Sequence, residues 1–228
     1  MKISITSSHL PGEDKSPRLS DLRQRLVSHP WLQDAYIGLH PSRQEPLAWV
    51  ALNKPGIAAL RDKGRSHVVD ELCRFVAEAY AHAPLLHLWR FSQALPADKQ
   101  EPSFDQAFQQ ICLQPAEGPV WFNRRQTPDS LQLSGEVPPD LVYFEGHFNE
   151  FPLVPGVVEL QWVFEQSALL IGKSPQAARV DNLKFQKFLR PYDNIELILQ
   201  WEKAKGRIVF RLQSEQGICA SGVIILND

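Results

Sequence analysis

The sequence predicts an α+β protein in two parts, and three observations carry that expectation. The stretch from Val157 to Ile171 is apolar on most sides and has the length of a helix buried inside its domain. Four β-like runs follow it, Ala178–Leu189, Asn194–Lys203, Arg207–Ser214 and Ile218–Leu226, separated by turn residues such as Lys205-Gly206 and Gln216-Gly217. The first half instead interleaves helical and strand-like periodicities. One buried helix followed by an antiparallel meander describes a sheet wrapped around a helix, preceded by a smaller α+β unit.

The elements read in order as follows. Leu19, Leu22, Leu26 and Val27 recur at helical spacing, with Ser20 as a candidate cap, until His29-Pro30 ends the pattern. Ala35–Leu39 and Leu47–Leu52 read as strands joined by a polar loop, HPSRQEP. Val68, Val69, Leu72, Phe75, Val76 and Ala79 share one face of a helix spanning about Ser66 to His82, and Leu86–Phe91 reads as a third strand. LPADKQEP is a polar loop, and the Pro- and Gly-containing run from Gln114 to Pro119 breaks both periodicities. The expected division is 1–114 and 119–228. In the second part Leu131, Leu133, Gly135 and Val137 alternate with polar residues, and Val142 to Gly156 is a loop rich in Phe, Pro and Gly.

Bulk properties narrow the function classes. A net charge of −2 over 228 residues favours neither nucleic acid nor an anionic membrane as a partner. No run reaches the length of a membrane span, and the first residues lack the apolar stretch of a signal peptide, so a cytoplasmic protein is the expectation. Cys73, Cys112 and Cys219 are far apart, without metal-ligand spacing, and read as buried small hydrophobes. Neither a metal nor another cofactor is expected.

The segment YFEGHFNEFPLVPGVVELQW, Tyr143 to Trp162, holds the candidate chemistry. His147 sits in a loop where an imidazole titrating near neutrality suits the removal of a proton alpha to a thioester. Gly156 opens a helix, whose free backbone N–H and positive end polarise a carbonyl as enolate-like charge develops. The segment resembles the active-site segment of bacterial 3-hydroxyacyl-(acyl carrier protein) dehydratases of the hotdog fold. The shared pattern is Gly146-His147-Phe148, Pro152 and Pro155-Gly156, and the likeness covers roughly Leu131 to Leu226. Within that family the texture is similar to the dehydratase-like component of aryl polyene gene clusters, because Trp162 follows the acid position. The resemblance implies His147 as base, Phe148, Gly156, Val157 and Trp162 as substrate-binding residues, an acyl carrier protein or CoA thioester as substrate carrier, and a homodimer.

One departure bears on catalysis. The family places a carboxylate 14 residues after the His, and here that position is Gln161. Gln holds a hydroxyl or water by hydrogen bonds but exchanges no proton with it at neutral pH. Where the family tends to carry Gln, this chain has Glu165, one helical turn on and on the same face, so Glu165 is a reserve acid. Glu159, two residues from Gln161, points to nearly the opposite side. Asn149 and Glu150 replace the family's usual Pro-Gly. Three functions follow as expectations: dehydration of a 3-hydroxyacyl chain, thioester hydrolysis by a positioned water, or acyl-carrier binding without turnover beside an active paralogue.

Residues from about Lys15 to Phe104 resemble the small C-terminal subdomain of acyl-CoA synthetases and other AMP-forming ligases, on SPRLSDLRQRLVSHPWLQDAYIGL, EPLAWVAL and WRFSQALP. The family's Gly-Lys is replaced by Glu101-Pro102, and Lys99 is out of register. The resemblance therefore implies a catalytically silent remnant or docking module.

Overall fold

The computed structural model describes residues 18–80, 86–144 and 150–227. It contains two sheets, one in each half of the chain. The first is three-stranded, in the order β1 (Leu32–Leu39), β2 (Pro46–Leu52), β3 (Leu88–Ser92). β1 and β2 are antiparallel, whereas β2 and β3 are parallel and are joined by the long helix α2 (Lys54–Ala79). A parallel pair needs such a crossover.

β2 shows why this half holds together. Its even residues Ala48, Val50 and Leu52 pack with α1 (Leu19–Val27) and α2, through Leu22, Leu26, Leu60, Val68, Leu72 and Val76. Its odd residues Leu47, Trp49 and Ala51 pack instead on Phe104, Phe108 and Cys112 of α3 (Pro102–Leu113). A period-2 strand thus buries both faces between two helical layers.

The second sheet has six strands: β4 (Val120–Gln126), β5 (Ser130–Glu136), β7 (Asn194–Glu202), β8 (Arg207–Ser214), β9 (Gly217–Leu226) and β6 (Ala177–Phe185), in that spatial order. All neighbours are antiparallel. Their inward residues, among them Leu131, Leu133, Leu197, Leu199, Phe210 and Ile224, enclose Val158, Trp162, Val163 and Leu170 of α4 (Gly156–Ile171). This is the hotdog arrangement, a sheet wrapped around a central helix. Gly172, at φ 74, ends α4 in the left-handed region and returns its N–H to the Ala168 carbonyl.

Several local readings are corrected. Asp21, not Ser20, closes the start of α1, by accepting the Arg18 N–H at 3.0 Å. α2 begins at Lys54 rather than near Ser66, because Asn53 caps it (Gly56 N to Asn53 Oδ1, 3.2 Å) and Pro55 is tolerated in the first turn. Gly64, at φ 81, breaks the helical repeat inside α2. α3 follows directly on the polar loop, with Pro102 in its first turn, and its Phe104, Phe108 and Cys112 form a buried stripe at spacing four. β4 lacks alternation because it is an exposed edge strand. α4 is not covered all round: Val157, Gln161, Glu165 and Leu169 form an exposed stripe. Cys112 and Cys219 are buried, while Cys73 is half-buried. Among the described residues no helix is long and apolar enough to cross a membrane.

Candidate active site on the central helix

α4 is preceded by the segment Phe151–Pro155, which lies outside helix and strand, with Pro155 as its extended N-cap. The Val158 and Glu159 amides donate to the Pro155 carbonyl at 2.9 and 3.2 Å. The amides of Gly156 and Val157 have no carbonyl a turn behind them within the helix, so they are the forward donors at its positive end. Phe185, at the end of β6, lies against this opening: a Cβ placed on Gly156 would come within 2.8 Å of its ring. Phe185 is half exposed and completes the wall beside Gly156. Its sequence surroundings, Lys184-Phe185-Gln186-Lys187-Phe188, give no signal beyond alternation.

One turn further on, the Gln161 side-chain amide donates to Glu165 Oε1 at 2.9 Å. The structure brings these two candidates together on the exposed stripe of α4, with Val157 a turn before them. Trp162 is placed differently. It is 1% exposed, sits in the core of the wrapped sheet, and donates its indole N–H to the Glu117 carbonyl at 3.3 Å. His147 and Phe148 lie outside the described residues.

Glu159 points away from Gln161 into the protein. It is 3% exposed, and Oε2 has no hydrogen-bond partner among the described residues. Burial pushes its carboxyl up to about 8, so it holds its proton at neutral pH. Burial also raises the Cys219 thiol on β9, with smaller contributions from the charges of Glu159 and Asp193. Glu159 is the carboxyl that sequence reasoning passed over; its helical phase marks it as inward-facing, but nothing in the sequence marks it as unpaired.

A cavity of about 490 Å³ lies between the halves, lined by Trp49, Phe91, Gln93, Ile111, Glu136 and Pro139 among others. Gly118 lines it too, and a Cβ placed on Gly118 would come within 3.4 Å of the Trp162 indole nitrogen. Among the described residues no group of three or more His, Cys, Asp or Glu side chains is arranged to hold a metal ion.

Comparison with known proteins places the likeness in this half. Residues 123–223 match the family model described as ApeI-like, ApeI dehydratase. A 3-hydroxyacyl-(acyl-carrier-protein) dehydratase FabZ of Clostridium perfringens is 31% identical over 75 residues, covering 30% of this chain and 54% of the relative. A FabZ of Petrotoga mobilis is 28% identical over 94 residues, covering 37% and 67%. The chain spans about half the length of most of the curated relatives it matches. Among solved structures, a chain of the dehydratase heterocomplex ApeI:P from Xenorhabdus doucetiae is 28% identical, with a TM-score of 0.46, covering 49% of this chain and 99% of that one. An uncharacterized protein from Erwinia carotovora is 30% identical, with a TM-score of 0.43, covering 48% and 96%. The family match thus begins inside β4, ends inside β9, and takes in the whole of α4.

Proposed function

We propose that the C-terminal half binds acyl thioesters and dehydrates 3-hydroxyacyl groups carried on acyl carrier protein. The observation that carries this reading is the hydrogen-bonded Gln161–Glu165 pair, one to two turns beyond the forward donors of Gly156 and Val157 on α4. In the proposed reaction the thioester carbonyl accepts from the Gly156 amide. The His147 imidazole removes the α-proton as the Cα–Cβ double bond forms. The Cβ–O bond breaks, and the hydroxyl leaves as water with a proton from Glu165. Gln161 donates to one Glu165 oxygen, leaving the other for the hydroxyl.

The test is incubation with 3-hydroxyacyl- and crotonyl-carrier thioesters. Interconversion of hydroxyacyl and enoyl forms is expected. Release of free thiol without interconversion would instead establish a thioesterase, and neither reaction would leave a binding subunit. Gln161, standing where the family has its acid, is the specific residue that favours these two alternatives.

We also propose a homodimer. Val157 is 75% exposed, and Leu169, Phe185, Phe188 and Phe151 are each more than two-fifths exposed. β6 is a sheet edge, and such an apolar face beside an open edge calls for a partner. Light scattering at micromolar concentration is expected to give twice the chain mass; a monomer would refute the pairing.

For the N-terminal half we propose a silent module related to ligase subdomains. In support, Lys99 Nζ is committed to both Asp34 oxygens, at 2.7 and 2.6 Å.

A further inference from the structure

Polar side chains buried between the two halves converge on the chain segments that flank the start of α4. Asp140, with its side chain 7% exposed, lies between Arg65 of α2 and Arg90 of β3, at 3.1 and 3.3 Å. Asp193, 8% exposed, pairs with Arg61 of α2 at 2.9 Å and accepts the Arg190 backbone N–H at 2.8 Å. Carboxylates this deeply placed require such partners.

Arg190 extends the connection. One nitrogen of its guanidinium donates to the Arg61 carbonyl. Its Nε faces the Pro152 carbonyl at 3.5 Å, and the group stacks on Phe151 at 3.8 Å. The kink at Gly64 explains why a helix carbonyl is available. A break in the repeat removes donors from the carbonyls of the turn before it, and Arg61 lies in that turn. Leu189, next in the chain, accepts the Val154 amide at 2.8 Å. A continuous path therefore runs from α2 through Arg61, Asp193 and Arg190 to Pro152 and Val154, and so to the N-terminus of α4.

We propose that the N-terminal half acts as a brace for the start of α4, with Arg61 and Arg190 as positioning residues that set the Gly156 and Val157 amides. The catalytic consequence rests on the dehydratase reading; the mechanical one does not. A planar five-donor guanidinium suits this position because one group must reach two carbonyls in different directions. Charges facing Arg190 are Arg61, which opposes its charge, and Asp62 and Asp193, which favour it.

Hydrogen exchange on the full chain, without substrate, tests the brace. In Arg61→Ala and in Arg190→Lys, the Val154, Val158 and Glu159 amides are expected to exchange at least about tenfold faster, while amides of β7 and β8 keep their rates. Arg61→Lys is expected to restore most of the protection, because it returns a cation to Asp193. Unchanged exchange at Val154, Val158 and Glu159 would overturn the proposal. So would a uniform rise across the sheet, which marks general loss of stability. If wild type dehydrates, Arg61→Ala should lower kcat about tenfold with KM within about twofold. If wild type shows no dehydration but the local exchange pattern holds, the functional reading falls and the brace stands.

Discussion

Glu159→Gln is expected to flatten the pH dependence of stability and to raise stability above neutrality. The folded carboxyl titrates at about 8 against an ordinary 4.5, with burial as the cause. A raised folded value means that the native state holds a proton which the unfolded chain gives up at lower pH. The contribution is therefore fully present below the unfolded value and is lost as pH rises through the folded one. The slope approaches ~1.4 kcal/mol per pH unit, so moving from about pH 5 to about pH 8 costs on the order of 4 kcal/mol. That is a large part of a typical domain's stability. Gln has nearly the same volume and carries no charge at any pH in this range. At about pH 4, below the unfolded value, the variant should match wild type within about 1 kcal/mol, because a neutral acid is replaced by a neutral amide. At about pH 8 it should be more stable by roughly 2–4 kcal/mol in urea titrations. Asp193 and Glu136, both raised by burial, remain in both proteins. The difference between the two curves therefore isolates Glu159, and parallel curves would refute its assignment as a buried neutral acid.

The parts of this fold that sequence shows are those in which a residue's neighbours along the chain also decide its burial. α4 is legible because its apolar residues and its Pro155-Gly156 start are local. β7, β8 and β9 are legible because alternation and Gly-bearing turns are local. α3 is missed because its partners are distant: Phe104 and Phe108 face Trp49, more than 50 residues earlier in the chain. β4 pairs only with the next strand, β5, and is missed because an exposed edge strand shows no alternation. The start of α2 is missed because Pro55-Gly56 reads as a breaker, whereas the Asn53 cap turns it into a helix start.

The site divides in the same way. Gln161 and Glu165 share a face by helical phase alone, and the structure places them in hydrogen-bond contact. Phe185 beside Gly156 follows from how β6 closes the sheet, which no local pattern encodes. The ties of Asp140 and Asp193 to Arg65, Arg90 and Arg61 join residues from opposite halves, and each reads in sequence as an ordinary surface charge.

The largest effect on turnover is expected from His147→Ala. Loss of a general base costs about 10²–10⁴-fold, or roughly 3–5 kcal/mol of barrier. Dehydration of a 3-hydroxyacyl-carrier thioester should fall by that factor while thermal stability changes little. The acid is read by two further substitutions. Glu165→Gln removes the proposed proton donor but keeps its shape, so turnover should fall at least about 10²-fold. Gln161→Glu leaves Glu165 in place and should change turnover by less than about threefold. The two substitutions are one turn apart on the same exposed stripe, so a general disturbance of α4 would affect both alike. The reverse pattern, with Gln161→Glu raising turnover steeply and Glu165→Gln silent, would move the acid position back to 161 and exclude Glu165. An activity that survives His147→Ala would remove the base on which the whole assignment depends.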